Sequence, residues 1–453
     1  MGASQNRFTG VFLVITWILA GWSHADVFNV KNFQAKGDGQ TLDTSAIQRA
    51  IDACAQAGGG TVLVPRGEYL CGTLHLASHV TLHLDTGAVI RQSRRPEDHP
   101  RARYLIIAQD AEQVAITGEG TLRGIGDGDL GRRADRSDAK MPEFRAGLVL
   151  FQNCRDVTVR QISCVLSDTW TLTFRFCENV TVEDVTIRNH YFHTNSDGID
   201  PVSCKHVRIA RCRISAGDDC IVCKTADGKP CEDVKVRDCE LESIATAIKL
   251  GTESSGDFRD MEFTDCIVRN STVGIGIYVK DGATVEHIRF ANISLENYKP
   301  TGASNVEGAM FPIFMDIEKR HADSPLGHIR DITLENITVT SGFGALVQGT
   351  PENPIERLTV KNLVFHVRDP EDWSNRRKHI GGRRTVSGQR DTEFARLPGW
   401  FVAAHVRGFT LDGFTLVLPP GVKEEPGKEP VILRDAPDSV IRDLVVKKSE
   451  NSP

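Results

Sequence analysis

The sequence predicts an all-β fold, a parallel β-helix, and two observations indicate this class. The first is a repeat of 27 residues, in which the pattern of Val180–Ile187 returns at Val207–Ile214, Val234–Leu241, Met261–Val268 and Ile288–Leu295. The second lies within each copy, where alternating apolar residues precede a polar or glycine position and a second short apolar pair, as in strand, bend and strand. Strands this short cannot bury a face alone, so successive repeats are expected to stack as coils of a solenoid.

The residues Ser45–Ala57 predict a short helix that covers the N-terminal end of the solenoid. Ser45 and Gln48 have the spacing of a capping box, and Gly58–Gly60 is typical of a helix stop. The apolar side chains share one helical face: Ile47, Ala50, Ile51, Cys54 and Ala57.

Residues 1–25 are expected to be a secretory signal peptide rather than part of the fold. Arg7 gives a positive start, Val11–Trp22 is an apolar run of twelve, and Ser23–Ala25 offers a cleavage site. Twelve apolar residues are too few to span a bilayer, and no other stretch is long enough. We expect an exported, monomeric protein, periplasmic or extracellular, in which residues 26–450 form a single β-helix domain.

The distribution of charge excludes one class of partner and singles out one segment. The formal net charge of −6 over 453 residues is small, which gives no indication of nucleic-acid binding. The segment 369–398 interrupts the repeat, and we expect it to be a long basic loop, because loops of this length in compact domains are usually functional or mobile. Its basic residues are Arg376, Arg377, Lys378, Arg383, Arg384 and Arg390.

Cysteine and asparagine also follow the repeat. Two cysteine series have the 27-residue spacing, which predicts stacked buried thiols rather than disulfides: Cys177, Cys204, Cys231 and Cys212, Cys239, Cys266. A metal site is a weaker interpretation, because Cys220 and Cys223 lack a second pair at ligand spacing. Four Asn-x-Ser/Thr sequons occur, and the repeat favours structural asparagines over glycan sites: Asn179, Asn270, Asn292 and Asn336.

The densest group of carboxylates predicts the chemistry. In the two motifs that carry them, Asp197 precedes Asp218 and Asp219 by 21 and 22 residues, close to one coil. Stacked strands lie about 4.8 Å apart, which places these carboxylates on neighbouring coils, and Gly217 would allow the bend that turns Asp218 and Asp219 to one face. Crowded carboxylates raise at least one pKa and provide an acid beside a base, as glycoside hydrolysis requires. Aspartates of solvated turns and a calcium site are the alternatives.

The motifs resemble those of the polygalacturonase-like enzymes, glycoside hydrolase family 28. The resemblance begins at Phe28–Leu76 and includes the NSDGID sequence at 195–200 and the GDDC sequence at 217–220. It implies a right-handed β-helix and an inverting mechanism, in which Asp218 is the general acid while Asp197 and Asp219 activate the attacking water. Inversion in turn implies about 6.5–9.5 Å between acid and base. No cofactor and no metal are expected.

The chain departs from the pattern of the endo-acting members of that family. Alignment of the following glycine places Thr246 where those enzymes have the histidine of Gly-His-Gly, and Tyr278 and Lys280 where they have the arginine and lysine of Arg-Ile-Lys. Because a uronate needs a cationic partner, Lys280 is expected to hold one sugar carboxylate. Glu253 lies in a Gly-Thr-Glu-Ser sequence similar to that of bacterial and exo-acting relatives, and it is either a ligand of sugar hydroxyls or part of a solvated turn.

Further side chains near these motifs are candidates for substrate binding. Lys224 would pair with the aspartates or the substrate, or else lie on the surface, and Asn195 and Tyr278 belong to the motifs themselves. Trp170 is either a stacking platform for a sugar or a core residue.

These observations predict a secreted inverting glycoside hydrolase that cleaves α-galacturonosyl linkages in an acidic plant-type polysaccharide, a pectin. The departures favour an exo-acting or rhamnogalacturonan-directed enzyme, and the basic loop would close one end of the cleft. A polysaccharide lyase is the first alternative, and it would need a cation and a basic Arg or Lys. A non-catalytic polysaccharide-binding β-helix is the second.

Overall fold

The computed structural model describes residues 2, 26–100, 103–128, 142–297, 310–368, 392–420 and 428–449. Over these residues the chain winds into successive coils, and their strands pair in register and in parallel within two sheets. The predicted parallel β-helix is therefore confirmed. The predicted signal peptide, apart from Gly2, lies outside the described residues, as do residues 369–391 of the predicted basic loop.

One side of the solenoid is a sheet of twelve strands, which carries the candidate site. Along each strand the core-facing residues alternate with residues on the outer face. Its strands are Leu74–Leu76, Tyr104–Gln109, Gly147–Gln152, Leu172–Arg175, Ile199–Val202, Ile221–Thr225, Thr246–Ser254, Val273–Val279, Phe311–Ile317, Ala345–Gln348, Gly399–Ala404 and Glu429–Arg434.

The other sheet has 24 strands and folds around a bend, so that it forms the remaining sides of each coil. Its strands are Val27–Asn29, Asp38–Leu42, Gly60–Val64, Gly67–Cys71, Val80–Leu84, Ala88–Gln92, Glu112–Thr117, Thr121–Arg123, Arg155–Arg160, Ser163–Val165, Glu178–Glu183, Thr186–Arg188, Lys205–Ala210, Arg213–Ala216, Cys231–Arg237, Glu240–Ser243, Phe258–Thr264, Ile267–Ser271, Thr284–Asn297, His328–Ser341, Ile355–Val367, Val406–Arg407, Thr410–Leu418 and Val440–Lys448. Two 3₁₀ helices, Val30–Phe33 and Pro96–Asp98, complete the regular structure of the N-terminal coils.

The core is a continuous column of aliphatic, aromatic and cysteine side chains between the sheets. Equivalent residues of successive repeats lie side by side on adjacent coils, as in the register Val180–Val207–Val234. All twelve cysteines are buried and free, which confirms the prediction of stacked thiols. The backbone N–H of Cys177 points at the sulfur of Cys204, at 3.4 Å, so the cysteine series follows the stacking direction.

The helix α1, Thr44–Gln56, covers the N-terminal end of this core, as the sequence predicts. The predicted capping box is wrong, because Asp43 rather than Ser45 precedes the helix. The Asp43 carboxylate accepts hydrogen bonds from the backbone N–H groups of Lys36 and Gly37, at 2.6 and 2.8 Å, and it caps that turn instead of the helix. A second helix, α2, spans Thr392–Ala395. Neither helix of the described ranges has the length and apolarity that crossing a membrane requires.

A ladder of asparagine side chains links successive coils at the bend within each coil. Asn292 has a left-handed backbone, with a φ of 54°, and its amide nitrogen donates to Asp265 Oδ1 at 3.0 Å. Its own oxygen accepts from Asn336, whose oxygen accepts from Asn362, each at 3.0 Å. Asparagine tolerates the left-handed region better than most residues and can also bond along the stack. This geometry supports the structural interpretation of the sequons.

We predict that Asn292→Ala lowers the free energy of unfolding by about 1–3 kcal/mol, because alanine is strained at positive φ and leaves two ladder bonds unmade. Asn292→Gly removes the same bonds without the strain and should cost less. Chemical denaturation of both variants separates the two terms. An alanine variant as stable as the unmodified protein would show that the ladder does not hold the bend.

Candidate active site

Three aspartates meet where two neighbouring strands of the twelve-stranded sheet begin. Asp197 and Asp219 lie just before the consecutive strands Ile199–Val202 and Ile221–Thr225, where Gly198 N–H donates to the Asp219 carbonyl at 2.9 Å. One carboxylate oxygen from each of Asp197, Asp218 and Asp219 lies within 4.8 Å of the others, and all three side chains are buried. The coil spacing in the sequence thus predicts a real cluster, which we call the aspartate trio.

Gly217 is required beside the trio, but for another reason than the predicted bend. Its φ is not in the left-handed region. A Cβ atom at this position would lie 2.4 Å from the His190 carbonyl oxygen and 2.3 Å from that of His193. Glycine therefore allows a close approach of the 190–193 segment, which forms a wall of the site.

Lys224 binds two aspartates at once and is not a surface lysine. Its ammonium lies 3.0 Å from Asp197 Oδ2 and 2.8 Å from Asp200 Oδ1. The ring of Trp170 lies over the same ammonium, 3.8 Å from the ring centroid, as a cation–π contact. Trp170 is half-buried, so one of its faces covers this ion-pair network.

Lys249 makes the corresponding contact with another aspartate of the trio, Asp219. Its ammonium lies 2.6 Å from Asp219 Oδ2. Thr246, from the same strand, donates its backbone N–H to Asp219 Oδ1 at 3.2 Å. Lys249 is not among the site residues predicted from the sequence. The signal was present, because Ile248 and Leu250 are core residues and the period of two places Lys249 on the outer face.

Burial and mutual repulsion shift the protonation of this cluster. Burial, together with the neighbouring carboxylates, raises the pKa of Asp197, and that of Asp219 is raised in the same way despite Lys249. Burial raises the pKa of Asp200 to about 6 against the opposing effect of Lys224. Four carboxylates thus share two ammonium groups, and the cluster as a whole retains a proton in weakly acidic solution.

The aspartate trio is also the group of described residues whose spacing is compatible with a metal ion. Asp197 and Asp219 each already bind a lysine ammonium. Because nearby opposite charges raise the pKa of both Lys224 and Lys249 against the effect of burial, these two side chains are charged. Their charge would oppose a cation among the three aspartates.

Asn195 connects the trio to a second cluster on the wall of the site. Its backbone N–H donates to Asp218 Oδ2 at 2.9 Å, and its side-chain oxygen accepts from Arg145 at 3.1 Å. Arg145 pairs with Asp168 at 3.4 Å, and His193 lies 2.8 Å from the same carboxylate. Arg145 and Asp168 come from irregular segments without a repeat, which gives no sequence signal for their role.

Tyr278 lies flat across the outer face of the sheet, one coil beyond Lys249. Its hydroxyl is 3.3 Å from Thr246 Oγ1 and its ring packs on Phe314. A Cβ atom at Gly276 would lie 2.4 Å from this ring, so the glycine makes room for it. The side chain is buried, and burial raises the pKa of its hydroxyl above the usual range.

Lys280 and Glu253 have different surroundings. The ammonium of Lys280 is buried and lies 2.6 Å from Glu318 Oε1. The Glu253 side chain is exposed. Partial desolvation acts to raise the pKa of Glu253, but the charges of Lys224 and Lys249 outweigh it and lower that pKa. Glu253 therefore presents a negative charge at the rim of the site.

Comparison with known proteins agrees with this geometry. The family model described as Glycosyl hydrolases family 28 matches residues 54–365. The chain belongs to this family. It is therefore a glycoside hydrolase, and the lyase and the non-catalytic β-helix do not fit this assignment.

Several similar proteins are named as polygalacturonases. A "Probable polygalacturonase" of Vitis vinifera is 28% identical over 377 residues, which cover 74% of this chain and 73% of that protein. An endo-polygalacturonase of Pectobacterium carotovorum subsp. carotovorum is 26% identical over 358 residues, covering 72% and 85%. The crystal structure of a hyperthermoactive exopolygalacturonase from Thermotoga maritima matches with a TM-score of 0.64 at 24% identity, covering 76% and 88%, and supports the fold.

Proposed function

We propose that the chain hydrolyses α-galacturonosyl linkages of a pectic polysaccharide, with the aspartate trio as its catalytic group. The observation that carries this proposal is the meeting of three buried carboxylates within 4.8 Å, two of them bound to lysines, in a member of family 28. The names of the relatives, which include both endo- and exo-acting polygalacturonases, support the substrate class.

In this proposal Asp218 protonates the oxygen of the leaving sugar, while Asp197 and Asp219 orient and deprotonate the attacking water. The role of Asp218 follows the family resemblance. Asp197 and Asp219 each use one oxygen for a lysine, at 3.0 and 2.6 Å. Asp197 Oδ1 is buried without a hydrogen-bond partner among the described residues, which suits it to accept a bond from the water.

We propose inversion at the anomeric carbon, with the attacking water held between two aspartates of the trio. One oxygen of each aspartate lies within 4.8 Å of an oxygen of the other two. A water that bonds two acceptors at about 2.8 Å each brings those acceptors about 4.5 Å apart. The trio therefore fits a water shared between Asp197 and Asp219.

The five predicted substrate-binding residues fall into two groups. Asn195 and Glu253 are exposed, and we assign them to direct contact with sugar hydroxyls. Lys224, Tyr278 and Lys280 are buried, and we assign them to shaping the sugar subsites through the side chains that they hold. Residues 1–25 would direct export to the periplasm or the exterior, where a pectic polymer is met, and residues 26–450 would form the catalytic domain.

We further propose that the enzyme cuts from a chain end. On the C-terminal side of the trio, the outer face of the sheet becomes apolar along the register Phe314–Leu346–Val402–Ile432. Phe394 of α2 and Leu397 after it pack against this cluster. The segment that ends the predicted basic loop thus covers the sheet beyond Tyr278, which supports a cleft that is closed on this side.

Asp218→Asn should lower kcat by about 10²–10⁴-fold, because the amide cannot donate the proton to the leaving oxygen. The backbone bond from Asn195 can still be accepted by the amide oxygen, so the thermal midpoint should change little. Turnover of defined pectic oligosaccharides by the folded variant at the unmodified rate would contradict the assignment of the acid.

An enzyme that cuts from the end should release single sugars from a pectic oligomer from the first minutes of reaction. A time course of products resolved by chain length measures this directly. Early appearance of mixed mid-length oligogalacturonides from homogalacturonan would contradict the proposed mode while leaving the hydrolytic chemistry intact.

A further inference from the structure

We infer that Lys249 is a positioning residue for the catalytic base: its ammonium keeps Asp219 ionised and fixes the carboxylate toward the attacking water. This inference rests on the proposed function. It concerns a residue outside the motifs that relate the chain to family 28, on the coil where the resemblance places Thr246 at the position of the histidine of the endo-acting members.

The geometry around Asp219 leaves little freedom to its side chain. Lys249 Nζ lies 2.6 Å from Oδ2, and the backbone N–H of Thr246 lies 3.2 Å from Oδ1. Both donors come from the strand Thr246–Ser254, one coil after Asp219. Two donors on two different oxygens fix the plane of the carboxylate, so the lone pairs that remain point in set directions.

Lys249 is itself held in place. Its side chain is 9% exposed, and the centroid of the Tyr278 ring lies 5.3 Å from its ammonium. Tyr278 can lie there because Gly276 has no side chain. The replacement of an arginine by tyrosine, inferred from the resemblance, thus leaves an aromatic face beside Lys249, and such a face favours a cation.

The charge of the surroundings makes a nearby ammonium necessary. Within this cluster the charged or titratable groups around Asp219 are Asp197, Asp200, Asp218, Lys224, Lys249, Glu253, Tyr278 and the core-facing Cys220. Most of them are acids, and both burial and these acids disfavour a charged Asp219. Lys224 is engaged with Asp197 and Asp200, so Lys249 is the cation that contacts Asp219 among the described residues. Threonine at 246 carries no charge and supplies only its N–H to this carboxylate.

The test compares Lys249→Met with Lys249→Arg. Methionine keeps the length and apolar stem but removes the charge, so the pKa of Asp219 should rise and the base should be protonated at higher pH. We expect the acid limb of the pH profile of kcat/KM to move upward by at least about one unit, with kcat at pH 5 reduced at least tenfold and KM changed much less. Arginine should restore most of the limb.

A matched control separates this effect from the loss of any ion pair. Arg289→Met removes contacts of 2.6 and 3.1 Å to Glu262 and Glu335 on the other sheet and should leave the pH profile unchanged. A Lys249→Met profile that matches the unmodified enzyme, or no recovery with arginine, would overturn the inference.

A readout without substrate keeps the inference separate from the proposed function. Carboxyl ¹³C titration of aspartate-labelled protein, with Asp219→Asn to assign the resonance, should show the Asp219 titration moving to higher pH in Lys249→Met. If no pectic oligosaccharide is cleaved by the unmodified enzyme, the proposed function fails, while this titration still decides the role of Lys249. An unchanged titration contradicts the inference whatever the activity.

Discussion

In-register stacking of the coils is the constraint on which this site depends. Parallel strands about 4.8 Å apart bring residues one coil apart side by side, whatever their charge. Asp197 and Asp219 are forced together in this way, and the hydrogen bond from Gly198 N–H to the Asp219 carbonyl fixes their coils in register. The repulsion between the carboxylates cannot be relieved by moving the backbone, because the same register is repeated along the whole core.

The molecule balances this repulsion with two lysines rather than with solvent. Lys224 serves Asp197 and Asp200, while Lys249 serves Asp219. Buried ion pairs contribute little net stability, since desolvation offsets most of the attraction. Removal of one partner nevertheless destabilises the fold strongly, because it leaves a buried charge without compensation. Two ammonium groups face four carboxylates, and burial together with the uncompensated negative charge raises the pKa of Asp197, Asp200 and Asp219.

The sequence predicts this architecture well where the period is regular and poorly elsewhere. The 27-residue repeat leads directly to the fold and to the buried thiols, and the spacings of 21 and 22 residues, close to one coil, lead to the meeting of Asp197, Asp218 and Asp219. The partner of Lys280 could not be predicted, because Glu318 lies 38 residues on, beyond a segment that breaks the period. Arg145 and Asp168 come from irregular segments of the chain. The residue before α1 could not be predicted either, because the Asp43 carboxylate binds the backbone N–H groups of Lys36 and Gly37 instead of capping the helix.

We propose that a water held by Asp197 and Asp219, rather than an aspartate oxygen, attacks the anomeric carbon. Proton NMR of the first sugar released from an α-linked pectic oligosaccharide tests this most directly. We expect the β anomer to appear first and the α anomer to grow in later by mutarotation, because direct attack of water inverts the centre. Initial release of the α anomer would contradict it and would make one of the three aspartates a nucleophile.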